Sequence, residues 1–212
     1  MKLIEHYLSI QGEGLRTGKP SYFVRFARCN LRCSWCDTTY SFGEGDDVSF
    51  EKVVAAIKES KVQWVCLTGG EPLLHSEDCL KLCTHLSEYQ FDIETGGSLD
   101  IRPVQVQNSS IIMDWKLQHS GMNHKMKEEN LSYLRSDRDL LKFVTDGSQE
   151  ERDEIARMIE KTSAMGFPIS IQPLFGTEVR PIAEWLLNLK NSRLQLNLQI
   201  HKLIWPTLPL GV

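Results

Sequence analysis

Residues 22–38 read YFVRFARCNLRCSWCDT, an apolar run that leads directly into three closely spaced cysteines. The run Tyr22–Ala27 has the aromatic and β-branched residues that are typical of a buried strand. The spacing Cys29-x3-Cys33-x2-Cys36 places three thiols on the loop that follows this strand. Three adjacent thiolates fill three corners of an iron–sulfur cube and leave the fourth iron open to a ligand. The stretch therefore predicts a [4Fe–4S] cluster at the end of a strand.

A zinc site is the alternative interpretation of the same cysteines. Structural zinc normally takes four ligands from two paired segments. The remaining cysteines, Cys66, Cys79 and Cys83, fall among apolar positions of a predicted strand and a predicted helix, and the histidines are remote in sequence. We interpret these three cysteines as small buried hydrophobic side chains. A zinc-stabilised binding module without catalysis stays open as the alternative.

A second motif follows the next predicted strand. Residues 64–68 form an apolar run that ends in Thr68-Gly69-Gly70-Glu71-Pro72. Glycines let a ligand approach the backbone closely, and a glutamate can accept a hydrogen bond from an ammonium group. Together with the cysteine triplet, this segment resembles the radical S-adenosylmethionine (SAM) superfamily. That resemblance implies that the methionine end of SAM binds the open iron and that the Gly-Gly-Glu segment lies against its amino group.

Apolar runs alternate with amphipathic segments along the rest of the chain, which is typical of an α/β protein with a parallel sheet. Further strands are predicted at 91–95, 110–115, 140–144, 169–174 and 194–200, and helices at 49–60, 77–87, from 148 and after 174. Ser148 and Glu151 have the spacing of a capping box. Because 212 residues fall short of the roughly 250 of a complete (β/α)8 barrel, we predict one domain, residues 1–212, with an open, partial TIM-like barrel of (β/α)6 type.

The bulk composition excludes several classes of protein. A net charge of −4 provides no basic field for direct nucleic-acid binding, and Lys125–Lys127 are interpreted as a solvated face. No stretch reaches the roughly 18 apolar residues of a membrane span, and the N-terminus lacks the pattern of a signal peptide. We therefore expect no membrane association and a cytoplasmic protein, in which thiols stay reduced.

Three local features narrow the resemblance within the superfamily. They are Ile10-Gln11-Gly12-Glu13-Gly14 before the cysteine strand, Cys36-Asp37-Thr38, and the ending His201-Lys202-Leu203-Ile204-Trp205-Pro206. Over nearly the whole chain, they resemble the 7-carboxy-7-deazaguanine synthase family. This resemblance implies a lyase that converts 6-carboxy-5,6,7,8-tetrahydropterin to 7-carboxy-7-deazaguanine with loss of ammonia. The implied cofactors are the [4Fe–4S] cluster, SAM that is regenerated in each turnover, and Mg2+, and the product feeds queuosine or archaeosine biosynthesis.

The same resemblance implies roles for individual residues. Cys29, Cys33 and Cys36 hold the cluster, and Thr38 binds Mg2+ through its hydroxyl. The residues implied to contact the substrate are Ile10, Gln11, Gly12, Glu13, Arg25, Thr68 and Val212. Those implied to contact SAM are Trp35, Cys36, Asp37, Gly70, Asp114, Trp115, Lys116 and Gln172. Arg25 is the expected clamp for the substrate carboxylate, because its strand neighbours point the opposite way and a guanidinium fork fits a carboxylate.

The segment Asp114-Trp115-Lys116 departs from the Ser-Pro-Lys that family members have at this place, so only its lysine matches. A C-terminal tail, about residues 201–212, is expected to close the substrate pocket. The resemblance further implies a homodimer and an electron donor such as flavodoxin or ferredoxin. An activating enzyme for a glycyl-radical protein is the nearest catalytic alternative, since it shares the triplet and the GGEP segment, but IQGEG and Cys-Asp-Thr argue against it.

Overall fold

The computed structural model describes residues 1–206, and its strands form one mixed sheet. In chain order the strands are β1 Lys2–Ile10, β2 Pro20–Phe26, β3 Asp46–Asp47, β4 Trp64–Gly69, β5 Gln90–Thr95, β6 Ser109–Asp114, β7 Leu140–Thr145, β8 Ile169–Pro173 and β9 Leu194–Leu196. The helices are α1 Phe50–Ser60, α2 Ser76–His85, α3 Asn130–Tyr133, α4 Gln149–Lys161, α5 Val179–Asn188 and α6 Ile200–Ile204. Between β5 and β6 the chain makes only a short 3-10 turn, Arg102–Val104.

The strand order is β3-β1-β2-β4-β5-β6-β7-β8-β9. Pairing is parallel from β2 through β9, whereas β1 runs antiparallel to β2 and β3 runs antiparallel to β1. Strand β9 does not pair with β1 or β3, so the sheet stays open. The prediction of a partial, open TIM-like barrel with some helices shortened is confirmed.

Helix α1 illustrates how the sequence determines the layer outside the sheet. The Ser49 hydroxyl accepts a hydrogen bond from the Lys52 N–H and caps the helix, as serine commonly does at this position. Val53, Val54 and Ile57 occupy one face and are buried against the sheet. Burial of each such side chain contributes about 1.5–3 kcal/mol. In α2, Cys79 and Cys83 lie in the same hydrophobic core, which confirms that they are small apolar side chains.

The strand predicted at 194–200 is wrong beyond Leu196. The backbone N–H of Ile200 donates to the Gly12 carbonyl oxygen at 3.0 Å, and the chain turns into α6. This long-range contact overrides the alternation of apolar and polar side chains, which by itself favours a strand. Strand β1 was not anticipated, because its side chains do not alternate clearly between buried and exposed positions.

The capping box predicted at α4 does not form. Ser148 precedes the helix but makes no side-chain cap hydrogen bond. The Glu151 carboxylate instead accepts hydrogen bonds from the Thr145 hydroxyl at 2.7 Å and from the Asp146 N–H at 2.9 Å. It therefore fastens the end of β7 to the start of α4.

Loops bridge the opening that the sheet leaves between its first and last long strands. The buried Asn197 side chain accepts from the Gly14 N–H at 3.3 Å and donates to the Gly14 carbonyl and the Thr17 hydroxyl, both at 3.2 Å. The segments that follow β1 and β9 are thus joined by hydrogen bonds. Within residues 1–206, no helix has the length and apolar character needed to cross a bilayer.

Candidate active site

A cavity of about 510 Å³ opens at the carboxyl ends of the parallel strands. In barrels and open α/β sheets, this end is where ligands bind and react. Its wall includes the cysteine loop, the Gly69-Gly70 segment and the loop at 10–13. Further wall residues come from the ends of β5 to β8 and from α6. The sequence motifs that lie far apart in the chain are therefore brought to one cavity.

All three cysteines of the triplet line this cavity as half-buried free thiols. The Cys36 N–H donates to the Cys33 carbonyl at 3.2 Å, and the Leu31 N–H donates to Cys29 Sγ at 3.4 Å. Burial raises the pKa of the Cys29 and Cys33 thiols, an effect that the nearby Lys116 ammonium partly offsets. Metal coordination is the usual way in which such thiols become thiolates. The donor set therefore fits an iron–sulfur cluster.

The glycine pair at the end of β4 lies directly beneath the cysteine loop. Gly69 has a φ of +135°, and a Cβ on Gly70 would collide with the Arg28 carbonyl oxygen. The Gly70 N–H donates to the Phe26 carbonyl at 3.1 Å, and the Glu71 N–H donates to the Arg28 carbonyl at 2.8 Å. Glycine is required here because the two backbones approach so closely.

The Glu71 carboxylate links the ends of two strands. Its side chain is buried, with Oε1 accepting from the Leu73 N–H at 3.0 Å and the Thr95 hydroxyl at 2.8 Å. Oε2 accepts from the Gly96 N–H at 2.8 Å. The carboxylate thus ties the ends of β4 and β5 together, and Glu71 also belongs to the cavity wall.

All but one of the residues expected to contact SAM line the cavity. The side chains that line the cavity are Trp35, Cys36, Asp37, Asp114, Lys116 and Gln172, together with Gly70. Lys116 Nζ lies 2.9 Å from Asp114 Oδ2 and 4.8 Å from the centre of the Trp35 ring. Within residues 1–206, Trp35 Nε1, Asp114 Oδ1 and Gln172 Oε1 are buried atoms without hydrogen-bond partners. Unsatisfied polar atoms on a cavity wall fit a polar ligand.

Trp115 is not part of the cavity wall. Its ring lies in the hydrophobic core. The expected contact of Trp115 with SAM stays a prediction, and the ring does not line the cavity. Successive residues at a strand end point to opposite sides, which places Asp114 and Lys116 on the cavity and Trp115 behind it. Val212, the other residue expected at the pocket, lies outside the described residues.

The residues expected to contact the substrate that fall within the described chain line the same cavity. They are Ile10, Gln11, Gly12, Glu13, Arg25 and Thr68. Arg25 of β2 stands beside Thr68 of β4 in parallel register. Gln11 Nε2 donates to Cys66 Sγ at 3.4 Å, which fixes the orientation of the amide. Thr38 also lines the cavity, and its hydroxyl donates to Asp37 Oδ1 at 2.9 Å.

A buried lysine of the cavity wall was not among the predicted site residues. Lys142 Nζ lies 2.9 Å from Glu13 Oε2, 3.2 Å from Glu94 Oε2 and 3.8 Å from Asp114 Oδ2. Burial opposes ionisation of Glu13, but the Lys142 ammonium outweighs this effect and holds the Glu13 pKa below its usual range. Burial raises the pKa of Glu94. The available signal was a lysine among the apolar residues of a predicted central strand, LLKFV.

Helix α6 covers one side of the cavity. His201 and Lys202 line it, and Lys202 forms an ion pair with Asp37 beside the last cysteine. A side chain on Gly12 would collide with the His201 ring, so glycine is required where α6 meets the loop at 10–13. The helix therefore connects the cysteine loop with the loop at 10–13.

Comparison with known proteins agrees with this geometry. Residues 23–114 match the model of the radical SAM superfamily. The crystal structure of QueE from Escherichia coli has the same fold, with a TM-score of 0.74 and 22% identity over 93% of each chain. The fold and the site define a radical SAM enzyme, a class that uses a [4Fe–4S] cluster and SAM.

The particular family follows from two full-length relatives. The 7-carboxy-7-deazaguanine synthase of Clostridium acetobutylicum is 35% identical, with 96% of each chain covered. The enzyme of the same name from Thermoplasma acidophilum is 34% identical, with 99% of each chain covered. The chain belongs to the 7-carboxy-7-deazaguanine synthase family. This match favours that family over glycyl-radical activating enzymes and zinc-binding modules.

Proposed function

We propose that this chain converts 6-carboxy-5,6,7,8-tetrahydropterin to 7-carboxy-7-deazaguanine and ammonia, as a radical SAM lyase of 7-deazapurine biosynthesis. The observation that carries the proposal is the composition of one cavity. Three cysteine thiols, Arg25 and the loop at 10–13 all line it. Residues that can hold a redox cluster and residues that can bind a flat, carboxylated heterocycle thereby lie in one cavity. The names of the full-length relatives support the same reaction.

The substrate side of the cavity offers complementary groups. The Arg25 guanidinium can pair with the carboxylate of the pterin. Because Gln11 Nε2 donates to Cys66 Sγ, its Oε1 is left to accept from an N–H group of the heterocycle. Glu13 is held ionised by Lys142, so it too acts as an acceptor. Two acceptors and one cation match the amide edge and the carboxylate of this substrate.

The cofactor side follows from the remaining wall residues. Cys29, Cys33 and Cys36 would hold the cluster, and Trp35, Asp37, Gly70 and Lys116 would hold SAM. When bound, this pair supplies the radical that removes a hydrogen atom from the substrate. The protein's own contribution is placement, to which α6 adds His201 and Lys202 on the cavity wall.

The Mg2+ proposal rests on Thr38, whose hydroxyl lines the cavity beside Asp37. A neutral hydroxyl is a weak ligand, so Mg2+ binds well only when the substrate supplies further oxygen atoms. Raising the Mg2+ concentration is therefore expected to lower the apparent KM for the substrate, and substrate is expected to tighten Mg2+ binding to the same degree. Thr38→Ala is expected to weaken this linkage in a two-way titration of Mg2+ against substrate.

Thr38→Ser is the matched control, because it keeps the hydroxyl and is expected to behave much more like the wild type. Neither substitution is expected to change the iron content, since the cysteines are untouched. Full activity of chelator-treated enzyme, or a Thr38→Ala titration identical to that of the wild type, would show that Thr38 does not bind Mg2+.

The proposed reaction itself is tested by an anaerobic assay with dithionite, SAM, Mg2+ and the carboxylated pterin, read by mass. We expect 7-carboxy-7-deazaguanine to form without any protein substrate. Because SAM is proposed to be regenerated, one SAM is expected to support many turnovers. Deuterium taken from the substrate is then expected to pass through 5′-deoxyadenosine and return to the product. Consumption of one SAM per product would remove the regeneration proposal, and absence of product would remove the proposed reaction.

We further propose that the enzyme works in the cytoplasm as a homodimer and takes electrons from a small carrier such as flavodoxin or ferredoxin. The half-buried cysteine loop supports the last point, because Cys29, Cys33 and Cys36 all lie within reach of the molecular surface. Sedimentation velocity tests the dimer. Replacement of dithionite by a reduced carrier in the assay tests the donor.

A further inference from the structure

A carboxylate on the neighbouring strand holds the side chain of Arg25. Glu5 of β1 and Arg25 of β2 stand directly opposite each other in antiparallel register. Arg25 Nε donates to Glu5 Oε1 at 2.8 Å, and the two side chains are only 12% and 17% exposed. A charge-assisted hydrogen bond that is largely shielded from water restrains a guanidinium more firmly than a surface ion pair does.

Two tyrosines complete the arrangement around this ion pair. Arg25 Nη2 donates to the Tyr7 hydroxyl at 3.0 Å, and the Tyr40 hydroxyl donates to Glu5 Oε1 at 3.2 Å. The Tyr40 ring lies 5.7 Å from the Arg25 guanidinium carbon, within the range of a cation–π contact. The two hydrogen bonds that Arg25 donates come from Nε and Nη2, which share one edge of the guanidinium.

Among the described residues, Arg25 and Tyr7 lie between Glu5 and the cavity. Arg25 and Tyr7 belong to the wall of the cavity, whereas Glu5 does not. The register between β1 and β2 is irregular between Leu3 and Glu5. Such a bulge re-aims a side chain on an edge of a sheet. The strand geometry therefore directs the carboxylate of Glu5 at the Nε of Arg25.

We propose that Glu5 is a positioning residue for the substrate carboxylate. It occupies the Nε side of Arg25, so the guanidinium presents its Nη1 and Nη2 end to the cavity. An arginine held in this way receives a carboxylate end-on, through the two terminal nitrogens. The inference rests on the proposed function, since it assumes a carboxylated ligand. Its distinctive consequence is that loss of Glu5 weakens binding only of ligands that carry the carboxylate.

The test measures dissociation constants on the cluster-loaded enzyme with SAM but without reductant, so that no turnover is needed. The two ligands are 6-carboxy-5,6,7,8-tetrahydropterin and 5,6,7,8-tetrahydropterin, which lacks the carboxylate. For Glu5→Ala we expect the Kd of the carboxylated ligand to rise about tenfold or more, as for loss of a hydrogen bond to a charged group. The Kd of the ligand without the carboxylate is expected to stay within about twofold of the wild-type value.

Two further variants separate positioning from general damage. Glu5→Gln keeps an acceptor for Arg25 Nε and is expected to rescue binding in part, and it replaces Glu5→Ala if that variant does not fold. Glu88→Gln changes an exposed glutamate far along the chain and is expected to leave both dissociation constants unchanged. An unchanged Kd for the carboxylated ligand, or an equal rise for both ligands, would overturn the proposal. Wild-type enzyme that binds the carboxylated pterin but forms no product would overturn the proposed function and leave the Glu5 measurement valid.

Discussion

Alanine at any one of Cys29, Cys33 or Cys36 is expected to abolish the reductive cleavage of SAM. The three thiols line the active-site cavity, and they are the cysteines whose spacing fits three corners of one cluster. Loss of one corner removes both the electron source and the iron to which SAM binds. We expect no 5′-deoxyadenosine above background in an anaerobic assay with dithionite, and an iron content well below that of the wild type.

The other cysteines provide the matched control. Cys79 and Cys83 lie on the face of α2 that packs in the hydrophobic core. Cys79→Ala and Cys83→Ala are therefore expected to keep the cluster and to lose only some stability. Cys66 lies on the cavity wall, and its Sγ accepts a hydrogen bond from Gln11 Nε2. The Cys66→Ala variant is also expected to keep the iron of the cluster. An iron-free Cys66→Ala variant would show that the cluster ligands are assigned wrongly.

Substitution of Lys142 by methionine is expected to lower the free energy of unfolding much more than substitution of an exposed lysine does. The ammonium group is buried between three carboxylates. Its removal leaves Glu13 and Glu94 without this buried cation, whereas Asp114 keeps Lys116. Loss of one partner from a buried ion pair typically costs about 3–5 kcal/mol. The measurement is denaturant unfolding at pH 7, with the free energy of unfolding compared between variant and wild type. Lys161→Met removes an exposed lysine that pairs with Glu128, and its cost is expected to stay below about 1 kcal/mol.

The cost of Lys142→Met is also expected to depend on pH. In the wild type, the pKa of Glu13 is lower in the folded than in the unfolded state, so Glu13 contributes stability above its unfolded pKa and loses it as pH falls. Without Lys142, burial raises the pKa of both Glu13 and Glu94, and both then favour folding only when they are protonated. The difference between variant and wild type is therefore expected to be larger at pH 8 than at pH 5. An equal difference at both values would contradict the charge network.

The parts of the site that are contiguous in sequence were predictable. Cys29 to Cys36 and Gly69-Gly70 carry their chemistry in their spacing, and the alternation around Arg25 gave its direction. Lys142 stood out only as a lysine in an apolar strand, and its partners come from distant segments of the chain, so no local pattern could reveal the charge network. The same reason explains the errors. The Ile200 N–H donates to the Gly12 carbonyl, where the chain leaves the predicted strand. Glu151 accepts a hydrogen bond from the Thr145 hydroxyl and so does not form the predicted capping box.

Trp115 is a different case, because the needed information was present in the sequence. Asp114, Trp115 and Lys116 follow a strand, and the period of two already separates the middle residue from its neighbours. The resemblance to a family motif implied the same role, contact with SAM, for all three residues. The strand geometry assigns them to opposite sides.

The bridge between Asn197 and Gly14 joins residues that are 183 positions apart, and it affects how the enzyme is made. Contacts at such separation form late, because closing a long loop costs entropy before the contact stabilises anything. While the chain emerges from the ribosome, the cysteine loop and Gly69-Gly70 are complete long before residues 197–204 have been synthesised. During that interval the three thiols lack the wall that α6 supplies. We therefore expect the cysteine loop to be most accessible to iron–sulfur assembly before α6 packs against it.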